Sequence, residues 1–264
     1  MRRTVTGRLV LDVTGPADLV LSLAVAEGPA HVDEALVVAS GGRPLPVEQV
    51  AARHRGRIHR VRAEAGQVTI DYRAVVEGRA EPLAVSPADL IEYLRPSRYA
   101  EADKLMAFAT DQFGLLEGSA LLTAVVDWVA SRVAYVRGSS GPTDGAIDTL
   151  LTRRGVCRDF AHLVIGILRA RGVPARLVAV YAPGLDPMDF HAVVEACVDG
   201  AWQVVDATRL APRATLLRIA TGRDAADTAF LSNYGADVVL SEMEITATSE
   251  GDLPMDDGSL AMLG

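Results

Sequence analysis

Lysine is almost missing from this chain, cysteine is scarce, and no apolar run is long. Of the 26 basic residues only Lys104 is lysine, so nearly all the positive charge is guanidinium and stays fixed at any working pH. Two cysteines, Cys157 and Cys197, can close at most one disulfide, which excludes a stapled secreted scaffold and makes each a free thiol in the first instance. Every strongly apolar segment meets an Asp, Arg or Gly well before the roughly 20 residues a spanning helix needs. Behind the opening Met-Arg-Arg, the residues Asp12, Gly15, Pro16 and Asp18 interrupt any apolar core of a signal peptide, and the expected location is the cytoplasm. A net charge of −8 without a Lys/Arg run argues against nucleic-acid and membrane partners.

What is present is an ordinary globular balance, half hydrophobic and 23% charged over 264 residues, enough for one large or two modest domains. From Thr4 to about Val76 apolar positions alternate with polar or small ones, as in Leu19, Leu21, Leu23, Val25 and again in Val68, Ile70, Tyr72, Ala74. Period two predicts strands. Turn signals at Gly15-Pro16, Gly28-Pro29, Gly41-Gly42 and Ala65-Gly66 cut the segment to the strand lengths of a small antiparallel sandwich. Residues 1–82 are expected to form this N-terminal β-sandwich domain.

Past Pro82 the period lengthens. Ser86 places a capping hydroxyl before Pro87, and Leu90, Ile91 and Leu94 follow at helical spacing until Pro96. Further helices are predicted over Glu101–Phe113, from Ser119 to about Val133, and over Ala146–Thr152, with a polar Gly-rich loop from Arg137 to Gly145. Residues 83–250 are read as the α+β part. Residues 251–264, a mixture of Asp, Gly and small apolar side chains, are expected to be a flexible tail.

The chemically informative stretch begins at Gly155-Val156-Cys157-Arg158-Asp159-Phe160-Ala161. Gly155 reads as the turn into a helix whose body, Phe160 to Arg171, closes at Gly172-Val173-Pro174. Cys157 then sits in the first turn, where free N–H groups and the helix dipole favour thiolate. A small cysteine filling core space is the plainer alternative. Further on, Asp199-Gly200 is a two-residue turn signal between strands Asp189–Val198 and Ala201–Thr208. With that turn, residues whose numbers sum to 399 face each other, and His191 lies on a diagonal to Asp206, within reach of an imidazole and a carboxylate. A nucleophile, a base to take its proton and an acid to orient the base are what thiol acyl transfer requires.

These segments also resemble a family. Gly155-x-Cys157-x-Asp159-Phe160-Ala161, the Arg171-Gly172-Val173-Pro174-Ala175-Arg176 segment, His191 on a strand, and Trp202-x-x-x-Asp206-x-Thr208 are together similar to the transglutaminase-like superfamily of papain-like cysteine enzymes. The resemblance spans roughly residues 90 to 245. It implies a papain-like core of helices packed on an antiparallel sheet, preceded by the β domain of bacterial members, with Cys157 as nucleophile, His191 as base and Asp206 as orienting carboxylate. It also offers Tyr135, and beside it Trp128, as a second oxyanion donor to join the Cys157 N–H. Arg158 stands where animal crosslinking enzymes carry Trp, which points to the hydrolase-like branch. Val193 replaces a common Trp and Ala207 a common Pro. The Gly222–Asp227 segment is similar to that branch as well and is expected to be a solvated loop.

The expected activity is cysteine-dependent acyl transfer from a peptide, protein or small amide substrate through a thioester, to water ahead of amines. No cofactor and no metal are called for, and a zinc site is disfavoured by the absence of paired ligand spacing. The rival class is a catalytically silent transglutaminase-like domain whose cleft binds peptide or protein. His162 is expected to be partly solvated, and His31, His54 and His59 to lie at the surface.

Overall fold

Alternating burial along Arg2–Val13 (β1) places Val5, Leu9 and Leu11 on one side of a strand and leaves Arg8 and Asp12 outside. The chain continues through β2 (Ala17–Leu21), β3 (Ala30–Ser40), β4 (Arg43–Pro44), β5 (Glu48–Ala51), β6 (Arg57–Ala63) and β7 (Gly66–Glu77). A computed structural model describes all residues, 1–264. The helical part follows as α1 (Pro87–Glu92), α2 (Ala102–Phe113) and α3 (Gly118–Arg132), then β8 (Ala134–Tyr135), α4 (Ala146–Thr152), β9 (Arg154–Gly155) and α5 (Cys157–Ala170). The last strands are β10 (Ala175–Tyr181), β11 (Phe190–Val198), β12 (Ala201–Val205), β13 (Leu217–Gly222), β14 (Leu231–Gly235) and β15 (Val238–Ser249).

The fold is α+β. Ser86 caps α1 through the N–H of Asp89, with Pro87 in the first turn, as its sequence predicts. Helix α5 is buried at every position from Asp159 to Arg169, because α2, α3 and α4 pack around it and the sheet β12-β11-β10-β13 lies on its remaining side. Leu105, Leu122, Val125, Leu163, Val164, Leu177 and Val194 belong to this core.

Two sheets make the sandwich, ordered β15-β1-β7-β3-β4 and β14-β2-β6-β5. The assignment of residues 231–249 to the α+β part is therefore corrected: β15 pairs with β1 from Arg3↔Ser249 to Val13↔Val238, and β14 pairs with β2. Both cover strands that would otherwise end their sheets with open hydrogen-bonding groups, and Ile245 and Ala247 are buried in the sandwich core. The sandwich is thus built from both ends of the sequence. The same core takes in Tyr181, Leu217 and Ile219 of the other sheet, and the Tyr181 hydroxyl donates to the Leu23 carbonyl at 2.9 Å, so the two parts share one apolar seam.

The tail is corrected too. It forms no helix or strand, yet Asp256 is bonded to Arg213, Ala261 to Val204 and Met262 to Arg79, and Leu263 is only 3% exposed.

Candidate active site

Cys157 opens α5 behind Val156, whose extended backbone turns the chain into the helix. Asp159 accepts from the Val156 N–H at 2.8 Å and so closes the helix start, the role its place three residues into the motif suggests. The side chain of Arg158 pairs with Asp159 and also donates to the Ser140 hydroxyl at 2.9 Å and the Gly141 carbonyl at 2.7 Å. It thereby ties the Gly-rich loop to the first turn of the helix. Cys157 is half-buried and free, like Cys197.

The β11–β12 hairpin has the expected register, Val198↔Ala201 through Val194↔Val205. Asp199 and Gly200 both take positive φ, 52° and 74°, the backbone that an Asp-Gly turn of this kind supplies. The second strand ends at Val205 rather than Thr208, because Asp206 turns its carboxylate back on the chain: Oδ1 accepts from the N–H of Thr208 at 2.8 Å and from its hydroxyl at 2.7 Å. The other oxygen meets His191, whose Nε2–H donates to Oδ2 at 2.7 Å with both residues buried.

With Nε2 committed to Asp206, the remaining ring nitrogen is left for Cys157, which lies near enough to act on the imidazole. Burial alone would lower the basicity of His191. The charge and hydrogen bond of Asp206, joined by Cys157, override it and push the imidazole up to about 10. A ring protonated at neutral pH, bonded to a carboxylate and set beside a sulfur, has the proton that a leaving group needs.

Tyr135 comes to the same place by a short parallel ladder, Tyr135↔Gly155, with the Val136 N–H donating to the Gly155 carbonyl at 2.9 Å. Because β9 leads directly into Cys157, this pairing sets Tyr135 beside Cys157. Its ionisation is pushed up to about 12, first by burial and then by its neighbour Cys157. The phenol therefore remains a donor across the physiological range. Trp128 does not share this position. It packs edge-on against Phe108, with the Arg153 guanidinium 4.6 Å above its ring.

Several polar residues were misplaced by sequence reasoning. His162 is fully buried, stacked on Tyr99 at 5.3 Å, and its Nε2 accepts from the Ala225 N–H at 3.1 Å. Its helix face reads as solvent-facing only if Gly222–Asp227 is a free loop, and that segment is a lock. Asp224 is buried and accepts from the Tyr99 N–H at 2.8 Å, while Arg169 donates to the Arg223 carbonyl at 2.7 Å. His59 is buried, and His54 lies in the joint between the two parts with Nε2 2.7 Å from the Tyr93 hydroxyl. A buried network was missed altogether. Glu195 holds Arg176 at 2.8 Å and Arg218 at 2.6 Å, with the Arg176 guanidinium 3.8 Å over Trp202. Its one sequence signal is the Arg176↔Glu195 cross-strand pair, which needs the β10–β11 register to be visible.

Residues 102–207 match the sequence model of the transglutaminase-like superfamily. Over 97% of its length the chain superposes on 93% of a crystal structure from Cytophaga hutchinsonii named a "Putative Cysteine Protease", with 34% identity and a TM-score of 0.87. The chain belongs to the transglutaminase-like superfamily. The matched core runs from the start of α2 to the residue after Asp206, so it contains Cys157, His191 and Asp206 and leaves out the sandwich. Among curated proteins, ML0607 of Mycobacterium leprae is 29% identical over 168 residues, which is 59% of this chain and 60% of that protein. Rv2569c of Mycobacterium tuberculosis is 41% identical over 76 residues, 25% of this chain and 24% of the other. The chain thus spans less than two thirds of these mycobacterial relatives. Across the superposed Cytophaga protein the likeness includes the sandwich.

Proposed function

We propose that this transglutaminase-like protein is a cysteine-dependent hydrolase of amide or peptide bonds. The reading is carried by one observation: the imidazole of His191 is bonded to Asp206 and has beside it a half-buried cysteine at a helix start. In the reaction the Cys157 sulfur attacks the carbonyl carbon, and the carbonyl oxygen becomes an oxyanion facing the Cys157 N–H and the Tyr135 hydroxyl. Collapse breaks the C–N bond, His191 gives its proton to the leaving amine, and a thioester remains. His191 then takes a proton from water, which attacks the thioester, releases the acid and restores the thiol.

An amine in place of that water gives transfer instead of hydrolysis, with the same first half-reaction. Water is favoured as acceptor by Arg158 at the position after the nucleophile, and by the likeness to a protein whose name is that of a cysteine protease. The substrate class is a peptide, protein or small amide. No cofactor enters the scheme, and the proposed compartment is the cytoplasm, where two free thiols are kept reduced.

The test is a peptide and amide library incubated with the wild type and with Cys157→Ser, read by mass spectrometry with and without an added primary amine. Cleavage that vanishes in the serine variant supports the reading. Amine adducts in place of free acids would reverse the choice of acceptor. No turnover, together with tight retention of a library peptide, would favour a silent binding domain.

A further inference from the structure

The segment Gly251–Gly264 docks beside the strand that ends in Asp206. Its Asp256 accepts three hydrogen bonds from Arg213: the backbone N–H at 3.1 Å and Nε at 2.7 Å on Oδ2, and Nη2 at 2.5 Å on Oδ1. The same guanidinium reaches further, Nη1 donating to the Val204 carbonyl at 3.0 Å and Nη2 to the Ser259 carbonyl at 2.9 Å. The Val204 N–H in turn donates to the Ala261 carbonyl at 2.7 Å. Both backbone groups of Val204 are thus engaged, one by Arg213 and one by the tail. Leu263 completes the attachment in a small core with Val178, Val193, Val204 and Leu216, and the Met262 carbonyl accepts from Arg79 at 2.5 Å.

The attachment matters because of where the hairpin stops. The last ladder pair is Val194↔Val205, so inter-strand hydrogen bonding ends one residue short of Asp206 and three short of His191. Strand β12 is also the edge of its sheet, with no strand on its outer side to fix it. The bonds to Thr208 orient the Asp206 carboxylate relative to its own backbone but do not place that backbone against β11. A catalytic constellation must be held to within about 0.5 Å. Arg213 and the tail hold Val204, two residues upstream, and Leu263 shares a buried cluster with Val193, two residues from His191.

We infer that the Arg213–Asp256 clamp is a positioning element for Asp206, pinning the outer edge of β12 so that the carboxylate meets His191. The inference rests on the catalytic reading of Cys157, His191 and Asp206. It gives the segment after β15 a task in the reaction, although none of its residues touches the reacting atoms. The groups that bear on the pair are the Cys157 sulfur at the imidazole and the Arg213 guanidinium near Asp206.

The experiment uses the full chain in a Cys197→Ser background, so that one thiol reports, with iodoacetamide as the probe. The Cys157 alkylation rate is followed against pH in the parent and in Asp256→Ala, Asp256→Asn and Asp256→Glu, beside the thermal unfolding of each. A carboxylate that slips from His191 stabilises the imidazolium less, so the alkylation midpoint rises in the Ala and Asn variants. The expected rise is about one pH unit, a tenfold slower reaction on the acid side, and Glu restores the parent profile. Unchanged profiles overturn the inference whether or not the unfolding temperature falls, since the strap would then be a structural staple or nothing. If Asp256→Ala does not fold, Asp256→Asn, which keeps the shape, decides in the same way. A His191→Ala control separates two failures. A parent profile indifferent to His191 defeats the catalytic reading itself, whereas dependence on His191 without dependence on Asp256 defeats only the clamp.

Discussion

A Cβ on Gly155 would lie 2.6 Å from the Cβ of Asp159. The two residues are pressed together because Asp159 folds back to cap the Val156 N–H, and the strand leading to Cys157 passes directly over that cap. Glycine is needed here for space, and the contact explains why the Gly-x-Cys-x-Asp spacing is so tight.

Gly155→Ala is expected to push Asp159 off the helix start. Loss of a cap costs about 1 kcal/mol, and displacement of the strand beneath Tyr135 adds to it. Urea unfolding should show a lower midpoint with an unchanged slope, and iodoacetamide should react more slowly with Cys157. A variant as stable and as reactive as the parent would mean that the contact is slack.

Asp206→Asn preserves shape but removes the charge that raises the imidazole. A group whose folded pKa is raised contributes stability in full below its unfolded value of 6.5 and loses that contribution as pH climbs through about 10. The parent protein should therefore lose stability between pH 6.5 and 10 in a way that Asp206→Asn does not. Turnover should fall by about a hundredfold or more, the scale of a general base that no longer works. Thermal melts across the alkaline range and single-turnover kinetics test both halves.

Tyr135→Phe removes a donor and leaves the ring against Phe160, whose centroid is 6.0 Å away. If the hydroxyl meets the oxyanion, kcat drops by roughly 10²-fold while KM stays near the parent value. A variant of unchanged kcat would return Tyr135 to the role of a wall residue.

Acid stability has a different source. Burial lowers His162 to about 3 against the opposing charge of Asp224, and burial followed by Arg176 lowers His54 to about 4. For a depressed folded pKa the stabilisation is present above the unfolded value and is lost as pH falls from 6.5 towards those lower values. The protein should therefore weaken on acidification below pH 6.5. In His162→Gln the slope of stability against pH should shrink by about 1.4 kcal/mol per pH unit, the value for one proton. Equilibrium unfolding at several pH values between 4 and 7 would measure it.

The hairpin register was legible in the sequence because Asp199-Gly200 is a two-residue turn between alternating strands, and a turn of known length fixes every cross-strand pair. Cys157 at a helix start was legible for a similar reason, since Gly155 and the Gly172-Val173-Pro174 stop bracket a single apolar helix. What misled were residues whose surroundings come from far along the chain. His162 lies on a polar stripe until the Gly222–Asp227 segment covers it, and residues 231–249 alternate like strands of either part until β1 and β2 supply the open edges they fill.

Local sequence, through turn length, helix bracketing and strand period, determined that Cys157 opens a helix and that His191 and Asp206 lie diagonally across a hairpin, while Tyr135 was offered only by the resemblance to a family. Only the tertiary structure decided how they are held. The charge on His191 depends on Asp206 being brought to its ring against the effect of burial, the place of Tyr135 on its ladder with Gly155, and the outer edge of β12 on Arg213 and Asp256. Burial and edge pairing are made by contacts between distant segments, and no period or motif within one segment encodes them.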